Sequence, residues 1–188
     1  MAKSGNSALW AEEGYRLFAH EGPEGLHIEK IAKKLQLNKS AFYHYFGDLE
    51  GFCMELIQVH HDNTRLILHE IACLQNIDPE YLLLVIKHRP TVMFQVQLTR
   101  NQKNYLFYDA SRSIDKKVKQ ALRQLWREYL DTSSSIDLTD RYYNLIRDKF
   151  YTRVTFENLT LEFLHNLVSE AKRIFDQLKR QGSTAEIW

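Results

Sequence analysis

Near the amino terminus the chain runs IEKIAKKL at residues 28–35, QL at 36–37 and NKSAFYHYF at 38–46. In the first segment apolar residues recur at helical spacing, and one face of that helix carries Ile28, Ile31, Ala32 and Leu35. Asn38 is a good N-cap for the second segment. The stretch therefore predicts two short helices with a tight joint at 36–37, a helix-turn-helix arrangement.

The second of these helices has distinct inner and outer faces. Phe42 and Phe46 are four residues apart and are expected to point inward. The outer side is then formed by Lys39, Ser40, Ala41, Tyr43 and His44. A small residue flanked by hydrogen-bonding side chains at an exposed helix start suits a helix that contacts base edges in the major groove.

The charge of this region is uneven. Residues 1–52 hold six basic and seven acidic side chains, a poor balance for a nucleic-acid-binding domain taken whole. Residues 30–47 contain no acid, however, and carry the lysines Lys30, Lys33, Lys34 and Lys39. We therefore expect a positive field where DNA phosphates would lie.

The segment from about Trp10 to Phe52 resembles the tetracycline-repressor (TetR) family of transcription regulators. The resemblance is carried by Leu17-Phe18 with Gly22, by Ile31-Ala32, by Leu37-Asn38-Lys39, and by Tyr43-His44-Tyr45-Phe46 followed by Asp48, Glu50 and Phe52. It implies a DNA-binding domain. The residues it implies as DNA contacts are Asn38, Lys39, Ser40, Ala41, Tyr43 and His44, and His27 is added to them as a candidate phosphate donor.

Three positions depart from the family pattern. Leu49 stands where the family usually has a phosphate-contacting lysine, and Gln36 stands where glycine normally makes the turn. Leu26-His27 replace the hydroxyl residues that cap the second helix. Each departure removes an expected contact, so we expect weaker or more selective DNA binding, and His27 remains available to donate to a phosphate.

The rest of the chain is expected to be helical. Residues 52–181 contain no glycine, which disfavours tight hairpins, whereas helices joined by Asn, Asp and Ser loops need none. The 188 residues allow a small domain joined to a larger one. The predicted fold is all-α, with a three-helix DNA-binding domain at 1–47 and a helical effector-binding and dimerisation domain at 48–188.

Two long helices are predicted at the carboxyl end, at about 139–157 and 160–181, with Gly182 as the stop signal of the second. Apolar residues recur at 3 and 4 spacing in the second of them, in the series Leu161, Leu164, Val168, Ala171, Phe175 and Leu178. The resemblance implies that these helices pair two subunits. The first five residues of the series are the predicted dimer interface.

The resemblance further implies a ligand-responsive regulator, most often a repressor, that binds a palindromic operator as a homodimer. Polar anchors for a small-molecule effector are predicted among Gln95, Gln97 and Asn144. No cofactor or metal is expected.

Two other functions are considered. His60-His61-Asp62 resembles the metal-binding pair of HD-type phosphohydrolases, but adjacent helical residues diverge by about 100°, and a solvated stretch of helix is the simpler interpretation. No phosphate-binding glycine loop, nucleophile elbow or Cys-x-x-Cys motif is present, so no enzyme is predicted. A helical interaction protein without DNA binding is the second alternative.

The sequence also suggests a cellular location. Residues 81–86 form the longest apolar run, far shorter than the roughly 18 residues of a membrane span. Cys53 and Cys73 are predicted in one helix about 30 Å apart, too far for a disulfide. We expect a cytoplasmic protein.

Overall fold

The chain folds into helices. In the computed structural model, which describes residues 5–131 and 136–184, with side chains at 5–131 and 138–177, all regular structure within those ranges is helical. In chain order the α-helices are α1 Gly5–Glu21, α2 Ile28–Leu35, α3 Lys39–Phe46, α4 Leu49–Ile71, α5 Leu82–Lys87, α6 Arg89–Arg100, α7 Tyr105–Tyr129, α8 Ile136–Arg153 and α9 Leu161–Thr184. A 3-10 turn at Pro23–Gly25 follows α1, and a π-helical turn at Ile77–Tyr81 leads into α5. The predicted all-α fold is confirmed.

The helices form two compact units. The first contains Met1–Leu68 and His88–Lys116, and the second contains His69–Lys87 and Lys117–Trp188. Helices α4 and α7 each contribute residues to both units. The first compact unit therefore contains α6 and the first half of α7 together with the three amino-terminal helices. The domain boundary between residues 47 and 48 stays a prediction.

Local signals set the ends of the first four helices. Gly22 and Gly47 both have φ of 75°, a conformation that side chains disfavour, and they end α1 and α3. The side chain of Asp48 accepts a hydrogen bond from the backbone N–H of Gly51 at 2.8 Å and so caps α4. Only two residues, Gly47 and Asp48, therefore separate α3 from α4.

The core of the first unit contains a stacked aromatic group with a buried polar chain. Phe94 of α6 stacks on Tyr15 and Phe18 of α1, at ring distances of 4.4 and 4.3 Å. His60 of α4 is fully buried and bonds both the hydroxyl of Tyr15 at 2.9 Å and Oε1 of Gln95 at 3.1 Å. Burial lowers the pKa of His60 to about 4, so it is neutral at pH 7. These contacts join α1, α4 and α6.

The second unit is built around the pairing of α8 with α9. The hydroxyl of Tyr142 donates to the carbonyl oxygen of Val168 at 3.0 Å, and its ring lies 5.6 Å from Trp126 and 5.4 Å from Phe175. Burial raises the pKa of the Tyr142 hydroxyl. Lys149 and Arg153 of α8 both bond Glu170 of α9. The core of this unit therefore combines α8 and α9 with buried apolar side chains of α5 and α7, such as Leu82 and Trp126.

Details of the carboxyl-terminal helices differ from the predictions. Helix α8 begins and ends earlier than predicted, and α9 continues past Gly182 to Thr184, so that glycine does not stop it. The side chain of Leu178 lies outside the described residues.

The cysteine prediction needs one change. Helix α4 ends at Ile71, so Cys73 lies in the turn beyond it and the two cysteines do not share one helix. Both are free thiols, with Cys53 buried and Cys73 exposed.

None of the helices in the described ranges is long and apolar enough to cross a membrane.

Gly14 tests the packing of α1 on α4. A Cβ atom at Gly14 would lie 2.3 Å from Cζ of Phe52, whose ring is fully buried. Gly14→Ala should therefore lower the free energy of unfolding by about 1 to 3 kcal/mol through overpacking, although alanine favours the helix. Thermal unfolding followed by circular dichroism measures this change.

The matched control lies on the same helix. A Cβ at Gly5 meets nothing within 4 Å, so Gly5→Ala should leave the stability unchanged or slightly raised. Equal effects of the two substitutions would contradict the close approach of α1 to Phe52.

Candidate DNA-binding surface

The helix-turn-helix forms at the predicted residues. Helix α2 ends at Leu35, and Gln36 adopts the left-handed conformation with φ of 55°. The N–H of Leu37 bonds the carbonyl of Ala32 at 3.0 Å, which closes the turn. A non-glycine residue in this conformation costs about 1 kcal/mol, so the turn tolerates the missing glycine at a small loss of stability.

Aromatic contacts hold α3 in place. Phe42 is fully buried, and its ring lies 5.1 Å from Trp10 of α1 and 5.1 Å from Phe52 of α4. Phe46 is half-buried and also packs on Phe52, at 4.7 Å. The predicted inward direction of Phe42 and Phe46 is confirmed, and the opposite side of α3 is left open to solvent.

The predicted DNA-contacting residues lie around the start and outer side of α3. Exposed side chains there are those of Asn38, Lys39, Ser40, Tyr43 and His44, and Ala41 is half-buried among them. The Asn38 side-chain oxygen accepts from the N–H of Ser40 at 2.9 Å, so this residue caps α3 as predicted and its amide nitrogen remains free to donate.

Tyr43 combines packing with exposure. Its ring meets Phe42 edge-on at 5.4 Å, yet 47% of the residue is accessible to solvent. A tyrosine held in this way presents its hydroxyl from a fixed ring. The packing role and the predicted contact role are therefore compatible.

The amino end of α2 adds His27 to the same region. His27 is the exposed N-cap residue of α2 and makes no side-chain capping bond. Leu26, its neighbour in the position of a family hydroxyl residue, is buried. His27 therefore keeps its ring nitrogens available for another partner.

The positive charge is smaller than the count of lysines suggests. Lys34 bonds both carboxylate oxygens of Glu13, at 2.8 and 2.9 Å, and Arg16 bonds the same carboxylate. The hydrogen bond from Arg16, and then that from Lys34, lowers the pKa of Glu13, which keeps its charge although its side chain is only 9% exposed. Lys34 is therefore paired with an acid of α1, although its own side chain stays exposed.

Lys39 also has an acidic partner. Its ammonium group forms an ion pair with Glu29 of α2, which lies one residue before the acid-free segment. Lys30 and Lys33 are exposed, and neither makes an ion pair with the residues that the structure describes. Acids from outside residues 30–47 thus neutralise two of the four lysines. The positive field at this surface is therefore weaker than predicted. Leu49, at the start of α4, is 41% exposed and adds no charge.

The histidine-rich segment of α4 has a structural explanation. His60 is buried rather than solvated as expected, and both of its ring nitrogens have partners. Asp62 is exposed and bonds Gln58 and Arg65. Within the described ranges, no three histidine, cysteine or carboxylate side chains come together as metal ligands would. The structure therefore gives no support to the phosphohydrolase interpretation.

The three predicted effector anchors are divided between the two units. Gln95 is buried and donates to the backbone oxygen of Ser111 and to Asp115, at 3.1 and 3.0 Å. Gln97 belongs to the same unit, whereas Asn144 belongs to the other and lies 3.5 Å from Lys119. Gln95 thus completes the polar chain of His60.

The predicted dimer-interface residues differ in exposure. Leu164, Val168 and Ala171 have at most 4% of their surface exposed within the single chain, so a second subunit would gain little from them. Leu161 is 40% exposed and Phe175 is half-buried. Two further leucines are exposed on α8, seven residues apart, and were not among the predicted interface residues. They are Leu138 and Leu145.

Comparison with known proteins identifies the amino-terminal domain. The family described as bacterial regulatory proteins, tetR family, matches residues 9–52. A Bacillus subtilis (strain 168) protein, the uncharacterized HTH-type transcriptional regulator YuxN, is 32% identical over 56 residues, which are 30% of this chain and 19% of that protein. The chain thus matches about a fifth of the length of this relative. No solved structure matches. The match to the tetR family of bacterial regulatory proteins thus covers residues 9–52, which span most of α1, all of α2 and α3, and the start of α4.

Proposed function

We propose that the chain is a transcriptional regulator that binds double-stranded DNA with α3 in the major groove. The observation that carries the proposal is the orientation of α3, because burial of Phe42 leaves Lys39, Ser40, Tyr43 and His44 exposed on its other side. Helix-turn-helix proteins contact base edges from this position. The match of residues 9–52 to the tetR family supports the same function.

We further propose that it binds a palindromic operator as a homodimer. Two copies of α3 must lie about 34 to 36 Å apart to enter successive major grooves, and a two-fold symmetric dimer provides such a spacing. Exposed apolar side chains on the helices implied for dimerisation support this proposal. They are Leu138 and Leu145 of α8 and Leu161 of α9.

Repression and control by a small molecule are proposed on the family resemblance. A surface groove of about 360 Å³ in the second unit offers one place for an effector. Its lining includes Lys172 and Arg173, with Tyr129 and Asp176 beside them. Effector binding would act by shifting the chain between two conformations of unequal DNA affinity.

Tyr43 provides the test of DNA binding. Fluorescence anisotropy with duplexes enriched by the chain from a random-sequence pool should give tight, salt-sensitive binding. Tyr43→Ala should weaken it by about 1 to 3 kcal/mol, because the ring positions the hydroxyl at the DNA surface. Tyr43→Phe, which keeps the packing on Phe42, isolates the contribution of the hydroxyl.

Tyr105→Ala is the matched control, since Tyr105 lies at the start of α7 and is 75% exposed. Its DNA affinity should equal that of the unchanged chain. Failure to enrich any duplex would contradict the proposed function, and equal losses at Tyr43 and Tyr105 would contradict the assigned surface.

Leu145 tests the dimer. Sedimentation velocity should show a particle of twice the chain mass of 22.3 kDa. Leu145→Lys should shift it toward the monomer, because a charge would be buried in the interface without a partner. Leu83→Lys changes a leucine of similar exposure on α5 and should leave the dimer intact. A monomeric unchanged chain would contradict the proposal.

A further inference from the structure

Glu29 and Lys39 join the two helices of the helix-turn-helix from the outside. Glu29 is the second residue of α2 and Lys39 is the first residue of α3, and the Lys39 ammonium donates to the Glu29 carboxylate. Their side chains are 70% and 44% exposed. His27 acts electrostatically on Glu29, and Tyr43 acts on Lys39. The ion pair therefore lies within the candidate DNA-binding surface.

The pair is not needed to hold the fold together. Ion pairs between exposed side chains contribute little to stability because water already solvates both charges. The hydrogen bond between them lowers the pKa of Glu29 and raises that of Lys39, so both groups are charged at neutral pH. A pair of opposite charges is consequently presented to any molecule that binds this surface.

A carboxylate at this place disfavours a phosphate contact by Lys39. If the ammonium moved to a phosphate, Glu29 would be left without its counter-charge next to the DNA backbone. An ammonium group has three N–H donors, so Lys39 is able to keep Glu29 while donating to a base. The pair thus favours a base contact over a backbone contact.

The pair matches one base pair in particular. In the major groove guanine presents the acceptors N7 and O6, and the cytosine paired with it presents the N4 amino donor. Lysine donates to the guanine acceptors, and glutamate accepts from the cytosine amino group. In adenine an amino group replaces O6, and an ammonium has no acceptor for it.

We propose that Glu29 and Lys39 act together as a reader of one G·C base pair in each half-site, with Lys39 donating to the guanine and Glu29 accepting from the cytosine. This inference rests on the proposed DNA binding, and it adds which base pair the two side chains select. Glu29 is then a specificity determinant, although an acid at a DNA surface lowers the overall affinity.

The test is enrichment of duplexes from a random-sequence pool, followed by anisotropy titrations on the enriched sequence and on single-position variants of it. At one position of each half-site, the unchanged chain should bind the duplex with G·C about tenfold or more tightly than duplexes with any other base pair. In Glu29→Ala, which removes the acceptor as well as the charge, this preference should fall below about threefold, and binding to the unselected pool should tighten because Lys39 then reaches a phosphate. The salt slope on that pool should steepen by about 0.9.

Lys39→Gln should lose the same base preference without the gain in pool binding. Lys33→Gln is the matched control, because Lys33 is an exposed α2 lysine that makes no ion pair with the described residues. The Lys33→Gln variant should enrich the same sequence as the unchanged chain, and its affinity should change by the same factor for all duplexes. Circular dichroism melts of the variants should coincide with that of the unchanged chain, since all three side chains are exposed.

The outcomes separate this inference from the proposed function. If the unchanged chain enriches a motif and Glu29→Ala enriches the same motif with the same preference at every position, the base-pair assignment is wrong while DNA binding stands. A base preference that Lys33→Gln abolishes equally would also overturn the assignment. If the unchanged chain enriches no duplex, both proposals fail together.

Discussion

The orientation of the candidate DNA-binding surface depends on the packing of Phe42. This side chain is fully buried between Trp10 of α1 and Phe52 of α4, and it fixes the rotation of α3 about its own axis. A helix of only eight residues has little stability of its own, so tertiary packing must provide it. Every exposed side chain on α3 owes its direction to this contact. The close approach of Gly14 to Phe52 belongs to the same cluster.

Charge pairing then decides what the surface offers to DNA. Glu13, whose side chain is nearly buried, engages Lys34, and the exposed Glu29 engages Lys39. The first pair ties α1 to α2, and the second ties α2 to α3. Both lysines stay at the surface, but each is restrained by a counter-charge. With Leu49 in place of a lysine, the domain relies less on phosphate attraction than its lysine count implies, which favours selectivity over strength.

Periodicity and capping in the sequence predicted the helices and the orientation of α3, because those signals are local. The N-cap role of Asn38 and the inward direction of Phe42 and Phe46 follow from neighbouring residues alone. Partners distant in sequence were not predictable in this way: Gln95 lies 35 residues from His60, and Lys34 lies 21 from Glu13. In α9 only Leu164, Val168 and Ala171 of the periodic series are buried, and periodicity does not distinguish a face buried in its own chain from one buried by a second subunit.

The most direct measurement is the mapping of backbone amide NMR shifts as an enriched DNA duplex is added to the chain. The account predicts that the largest changes fall on His27, on Asn38 to His44 and on the first turn of α4. Residues of α8 and α9 should change far less. Shifts concentrated in α8 and α9, or spread evenly along the chain without a maximum at α3, would contradict the claim that α3 enters the groove.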